Sequence, residues 1–468
     1  NTIPKYPLVF GNHAIIVRPW DLPKQYEPGE IDVKRLAEKS LLTWAEHPKR
    51  KALIIRGARQ VGKTWLVENC LAKQFERVVK IDLESQPQFH AAFAGELSPK
   101  AMLNAIEPYT ERILPGQTLL FIDEIQACPR AITALRYFYE QLPELHVVAA
   151  GSMLEFALGE YSVPVGRVQY LHLSPMTFYE YLLAMGKNAA AEMTLEHPRE
   201  HSQATVDALH EQLRDYFFIG GMPEAVATYR DTGSRLEAYD VQAQIVTSFR
   251  DDFAKYRPVV NSACLDAVFE AAAKSVGQQI IYTQLYAQAT GKTNHKAFDL
   301  LCRAKLFSKI CSATPSGLPL GHSQGKRFKA AMLDIGLMQH VCGLHPAMAV
   351  GNHDLMAIYR GQMAEQFVAQ EMLAWHSESL YYWSRATKGS TAEVDYLAIH
   401  DGKIHPLEVK SGPAGRLRSL HRCLETYPNC EQGWVLQQGP YQELPEQALV
   451  FWPLYATAQL GNRQRLPL

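Results

Sequence analysis

The sequence predicts an α/β fold: a parallel-sheet domain, then a helical region, then a second α/β domain. Three observations carry this. Short apolar runs at 52–56, 78–84, 118–124 and 145–150 alternate with helical stretches, the pattern of buried parallel strands. Helical patterns then run from about 205 to 310. Strand-like segments at 380–385, 392–399 and 404–410 mark the last part of the chain.

The first run, Ala-Leu-Ile-Ile-Arg at 52–56, leads directly into Gly57-Ala58-Arg59-Gln60-Val61-Gly62-Lys63-Thr64. A helical stretch, 65–73, follows. This is G-x-x-x-x-G-K-T in its required strand–loop–helix context. The glycines let backbone N–H groups turn inward around phosphates. Lys63 reaches the β and γ phosphates, and the Thr64 hydroxyl suits Mg²⁺. The residues therefore point to ATP with Mg²⁺ as cofactors and to ATP hydrolysis, in a P-loop NTPase domain, whose ASCE or AAA type is what the family resemblance described below implies.

The run at 118–122 ends in Asp123-Glu124. Ligands of open α/β sheets bind at the carboxyl ends of strands. Asp123 is thus expected to hold Mg²⁺ through water, and Glu124 to orient or deprotonate the attacking water. The run at 145–150 ends in Gly151-Ser152, where Ser152 is either a sensor of the γ-phosphate or a turn residue. Arg167 is either an arginine finger, which in trans requires a homo-oligomer, or a surface arginine. Asp82 and Glu84 are expected near the site without a role.

Composition sets limits on this reading. The 468 residues suggest about three domains, and 47% hydrophobic with 20% charged residues is ordinary for globular chains. A net charge of -1 gives no global attraction to nucleic acid or anionic membranes. The eight cysteines form no C-x-x-C pair, which favours buried thiols in a reducing compartment. No apolar run approaches the length of a membrane span, and no signal pattern is seen, so a cytoplasmic protein is expected.

Ser174-Pro175 marks a helix start. Residues 187–204 read as a helical or flexible insertion, and Gly220-Gly-Met-Pro223 as a bend or hinge between helices. Three helix-like stretches between Leu265 and Ile310 precede a Gly/Pro turn at 316–319 and the basic run Lys326-Arg-Phe-Lys329. The last of these stretches, Asn294–Ile310, carries Lys296, Arg303, Lys305 and Lys309. This order suits a winged helix–turn–helix, which docks either DNA or a protein partner.

In the last part, Asp395 and Glu408-Val-Lys410 form the D…E-x-K arrangement of PD-(D/E)xK nucleases, with Val394 where Pro is typical. Residues 408 and 410 share a strand face, as do Glu393 and Asp395. Asp395 and Glu408 suit a second divalent cation, with Lys410 beside the water. Glu365 lies on the apolar face of a helix over 361–375 and needs a partner. The basic segment 415–422 either holds a nucleic-acid backbone or starts a solvated helix.

Taken with the 121–124 box, the 150–152 end, 173–180, 220–224, 333–337 and the C-terminal carboxylates, the chain resembles one prokaryotic family from about residue 35 to 455. This is the AAA-type ATPase family in which a P-loop domain is fused to a C-terminal domain of formerly unknown function. The resemblance implies an ATPase core, a helical and winged-helix middle, and a restriction-endonuclease-like C-terminal fold in which a helix glutamate such as Glu365 completes the metal site. The expected divisions are an N-terminal extension at 1–34, the ATPase domain at 35–186 and a helical lid or insertion at 187–260. A winged-helix-like domain at 261–333 and a nuclease-like domain at 334–468 complete them.

Overall fold

A computed structural model describes residues 34–152, 166–256, 260–322, 326–345, 355–376, 379–385, 392–410 and 417–460. Residues 1–33 of the expected N-terminal extension, and Gly415 and Arg416 of the basic segment, lie outside the described residues. The chain divides into two units. One contains Leu41–Arg56 and Lys63–Leu171; the other contains the stretch ending at Ser40, Gly57–Gly62 and the chain from His172 onward.

The first unit is built on a five-stranded sheet of β1 (Ala52–Arg56), β2 (Arg77–Asp82), β3 (Thr118–Asp123), β4 (His146–Gly151) and β5 (Val168–His172). Its order is β2-β3-β4-β1-β5, and β1 to β4 pair in parallel. The additional strand β4 therefore separates the strand before the phosphate loop from the strand ending in Asp123. Every residue of β3 and β4 is buried, which explains their unbroken apolar runs. Phe89, Phe93, Ile122, Leu135 and Phe138 fill the core beneath. The helix after the phosphate loop is one α-turn, Lys63–Leu66, followed by a wide π-turn at Val67–Leu71.

The second unit opens with helices at Phe178–Ala184, Asn188–Leu195, Gln203–Ile219, Pro223–Thr232 and Arg235–Asp252. The stretch 187–204 is thus largely helical. Three more helices, Ser262–Lys274, Tyr282–Leu285 and Gly291–Arg303, lead into β6 (Phe307–Thr314), β7 (Gly321–His322) and β8 (Phe328–Met332). The helix expected to run to Ile310 stops at Arg303, and Ile310 lies in β6.

A long helix, Leu355–His376, precedes β9 (Tyr381–Ser384), β10 (Glu393–His400) and β11 (Lys403–Val409). The chain ends its described part with the helix Arg418–Thr426, β12 (Gly433–Gln437), β13 (Gln442–Leu444) and β14 (Leu449–Pro453). These strands form one mixed sheet in the order β13-β14-β12-β11-β10-β9-β6-β7, with β8 paired to β6. β6 pairs antiparallel with β8 and parallel with β9. The boundary expected at 333/334 therefore falls inside one continuous sheet. The strands β6, β7 and β8, expected in a winged-helix-like domain, share this sheet with β9 to β14.

Gly220-Gly221 is a tightly packed knot rather than an open hinge. Gly220 has φ 70°. A Cβ there would meet Asp334 Oδ1 at 2.2 Å, and one at Gly221 would meet the Met176 carbonyl at 2.0 Å. The Gly221 N–H donates to Asp334 at 2.6 Å, and Met176 N–H to the Gly221 carbonyl at 2.6 Å. Asp334 is fully buried and also caps the helix Ile335–Val341 through Leu337 N–H.

Candidate nucleotide site and the C-terminal carboxylate cluster

On the first unit, β3 ends at Asp123 and the phosphate-loop helix begins at Lys63. The Thr64 hydroxyl donates to Asp123 Oδ2 at 2.9 Å. Lys63 and Asp123 are both buried. A hydroxyl beside a carboxylate is the oxygen donor set that a hard cation such as Mg²⁺ takes. Lys80 of β2, to which sequence reasoning gave no role, lies 3.3 Å from Asp123 Oδ2 and 2.8 Å from Glu68. Its signal was present: a lysine among apolar residues on a core strand, in register with the strand that ends in Asp123.

Glu124 adopts the left-handed conformation, φ 46° and ψ 45°, that closes the strand end. Its N–H donates to Asp123 Oδ1 at 3.1 Å, and its carboxylate accepts from Gln126. Burial raises its pKa, with the Asp123 charge adding to the rise while the Gln126 hydrogen bond opposes it. Asp82 makes a local turn, accepting from the N–H groups of Glu84 and Ser85.

Ser152 follows the C-terminal end of β4 and is buried, with an Oγ that finds no hydrogen-bond partner among the described residues. Arg167, read as either an arginine finger or a surface arginine, is exposed and pairs with Glu140 at 2.7 Å, near the end of the helix Pro129–Gln141 that leads into β4.

On the second unit, Gly57–Gly62 is held by its surroundings. A Cβ at Gly57 would lie 2.3 Å from the Leu173 carbonyl. Gln60 and Gly62 have φ of 63° and 91°, backbone that leaves Gly62 no strain-free replacement. Arg35 is buried and donates to the Val61 carbonyl at 3.0 Å, to Glu180 at 2.9 Å and to the Ser174 carbonyl at 2.7 Å. Glu180 also completes a capping box with Thr177. Arg59 forms an ion pair with Asp252 at 3.1 Å. Arg35 and Asp252 carry no local motif, which is why the sequence did not single them out; the signal for Glu180 was its Thr-x-x-Glu spacing after Thr177.

The C-terminal residues Glu365, Asp395, Glu408 and Lys410 are all half-buried, and a fifth, fully buried residue stands against two of them. Lys329 of β8 places its ammonium 2.6 Å from Glu393, 3.0 Å from Glu365 and 3.1 Å from Asp395. Its side chain is 1% exposed, so it cannot meet a DNA phosphate as the basic run Lys326–Lys329 suggested. Burial works against its charge, and the carboxylates of Asp395, Glu365 and Glu393 outweigh this and hold its pKa well above the ordinary lysine value. Lys410 pairs with Glu408 at 2.6 Å, and the other Glu408 oxygen is buried without a partner among the described residues. Burial, with the Asp395 charge, raises the pKa of Glu365 and of Glu408, while the ammonium groups of Lys329 and Lys410 act the other way.

Among the described residues no group of three or more His, Cys, Asp or Glu side chains is disposed to hold a metal ion. The expected second cation site thus does not fit. Of the other basic residues, Arg303 pairs with Asp299 at 3.0 Å, and Lys309 lies over the Tyr282 and Phe328 rings at 5.5 and 5.3 Å. No described helix is long and apolar enough to cross a membrane.

The parallel sheet carries a phosphate loop and a strand ending in an acidic pair, and residues 49–182 match the family described as AAA domain, a P-loop ATPase domain. Residues 210–347 and 360–456 match two families described as Domain of unknown function, DUF8612 and DUF4143, in that order after the AAA match. No curated protein matches the chain.

Among solved structures, similarity is found to the Walker-type ATPase of Pyrococcus abyssi. It has 14% identity, covers 67% of this chain and 96% of that one, and has a TM-score of 0.42. The Thermotoga maritima RuvB Holliday junction branch migration motor is 17% identical over 58% of this chain and 88% of its own, at a TM-score of 0.26. The Aeropyrum pernix Orc1 protein, solved in complex with DNA, is 13% identical over 69% and 97%, at 0.27. At such TM-scores these likenesses carry no argument about this chain.

Proposed function

We propose that the chain is an Mg²⁺-dependent ATPase whose nucleotide state is relayed from the phosphate loop to the helices that follow. The observation that carries the first half is the 2.9 Å contact between Thr64 and Asp123, which gathers the two oxygen ligands a nucleotide-bound Mg²⁺ needs. Mg²⁺ there would neutralise phosphate charge. Lys63 and the backbone N–H groups of Gly57–Gly62 bind the phosphates, Glu124 takes the proton of the attacking water, and Ser152 offers its unsatisfied hydroxyl to the same water or to the γ-phosphate. A raised Glu124 pKa makes it a better base at neutral pH.

The second half rests on the Arg59–Asp252 ion pair, which ties a loop side chain to the end of the helix Arg235–Asp252. Arg59 faces that helix, so a phosphate-driven shift of the loop is felt there.

Steady-state ATP turnover and fluorescent-nucleotide binding test the site. Lys63→Ala is expected to lose about 10²-fold or more of turnover together with binding. Glu124→Gln is expected to keep binding and lose about 10²–10⁴-fold of turnover. Full activity in both variants would overturn the assignment. Turnover with and without duplex DNA, single-stranded DNA and RNA separates a nucleic-acid-coupled motor from a protein-binding switch: strong stimulation supports the first.

A further inference from the structure

Three carboxylates from two elements converge on one point in the second unit. Glu365 comes from the helix Leu355–His376, and Glu393 and Asp395 from β10. A divalent cation at that point would sit about 2.0–2.6 Å from each oxygen. The Lys329 ammonium already stands there, 2.6 to 3.1 Å from one oxygen of each. Its three N–H donors match three acceptors. Any dication shared among those oxygens would lie within a few ångström of the ammonium in a water-poor site, where like charges repel strongly.

The surroundings are shaped for the ammonium. The rings of Tyr382 and Tyr396 lie 5.8 Å from Nζ, close enough for cation–π attraction. Oxygens turned away from Lys329 are taken up by other donors. Val409 N–H donates to Asp395 Oδ2 at 2.9 Å, and Gln279 to Glu393 Oε2 at 2.5 Å. Gly277 closes over Glu365, since a Cβ there would lie 3.1 Å from Oε1. Four of the five residues of β8 are apolar and all five are buried, so this lysine is not an incidental surface charge.

We infer that Lys329 is the resident cation of this centre: Glu365, Glu393 and Asp395 hold a lysine ammonium in place of a divalent metal and tie β8 to the long helix and β10. The nuclease-like arrangement of carboxylates is thereby a structural staple, and metal-dependent phosphodiester cleavage is not expected from this domain. The inference stands independently of the ATPase reading, and its test omits nucleotide.

Mn²⁺ binding to the full chain without nucleotide, followed by electron paramagnetic resonance, reads the centre directly. The measured quantity is the difference between the wild type and Asp395→Asn. No such Asp395-dependent binding tighter than about 1 mM is expected. Clear Asp395-dependent binding in the wild type would overturn the inference, and this comparison needs no Lys329 variant to fold. Lys329→Met is expected to be less stable and to gain an Mn²⁺ site at least about tenfold tighter than the wild type. Added Mn²⁺ should raise its thermal midpoint, and this rescue should vanish in Lys329→Met with Asp395→Asn. A Lys329→Met protein as stable as the wild type and indifferent to Mn²⁺ would also overturn it.

Discussion

Lys80 and Lys329 are both lysines on core strands, and each meets carboxylates that a metal reading would claim. The difference between them is solvent. Lys329 is sealed among three carboxylates, whereas Lys80 remains 29% exposed and shares Asp123 with the Thr64 hydroxyl. Lys80 therefore competes with, rather than replaces, a cation at Asp123. A partly exposed pair of this kind is worth about 1 kcal/mol or less. Lys80→Ala is accordingly expected to lower the Mg²⁺ concentration for half-maximal ATP turnover by a few-fold. An unchanged or raised Mg²⁺ requirement would place Lys80 on the substrate side instead. The meeting of Thr64 with Asp123 was legible because each closes a recognisable local pattern, the phosphate loop and an apolar strand ending in an acidic pair. Lys329 was misread because adjacency to Lys326 and Arg327 suggested a surface run, whereas β8 is covered on both faces and its other four residues are apolar.

At the scale of elements, apolar runs located β1, β2, β3 and β4 to within two residues at either end, because runs this short, rich in Val, Ile and Leu, suit strands better than helices. The end of the helix Gly291–Arg303 was missed for a definite reason. Lys305 takes φ 62° and terminates the helix in the left-handed conformation that glycine or asparagine usually supplies. The Leu306 N–H then donates back to the Leu301 carbonyl, a stop signal invisible in composition. The Gly220-Gly221 element was read as a bend, and the bend is there, but its glycines are required by contact rather than by motion. Gly221→Ala forces a methyl against the Met176 carbonyl and is expected to cost about 2–3 kcal/mol or more. Gly233 is the control, with φ 68° and nothing within 4 Å of its Cβ position, so that Gly233→Ala costs only about 1 kcal/mol of backbone strain. Urea unfolding of the two variants checks this; equal losses would mean that the knot yields and a hinge reading regains force.

Across the second unit as a whole, buried polar ties bridge residues far apart in sequence, and these could not be read from local pattern. Gln459 donates to the Thr194 carbonyl at 2.9 Å, and Gln366 both donates to and accepts from the backbone of Met332. Glu371 joins the helix Leu355–His376 to the start of Phe178–Ala184, accepting from Phe178 N–H at 2.8 Å and from the Trp375 indole at 3.1 Å. Burial, with the Glu180 charge nearby, pushes its pKa up to about 8, while its two hydrogen bonds act the other way. The same cause takes Asp334 to about 6. An unfolded glutamate ionises near 4.5, so between there and about pH 8 the folded protein retains a proton that unfolding releases. The contribution is whole below the unfolded value and is lost as pH rises through the folded one. Stability should thus increase as pH falls from about 8.5 to about 6, by at most about 1.4 kcal/mol per pH unit from this group. Glu371→Gln cannot titrate, and its amide also faces the Trp375 N–H, so it should be less stable than the wild type at pH 6. Its gain over that range should be smaller by about 3 kcal/mol at most. Urea midpoints at both pH values decide the matter: parallel slopes for variant and wild type would show that Glu371 is ionised in the folded protein, and that its hydrogen bonds outweigh its burial.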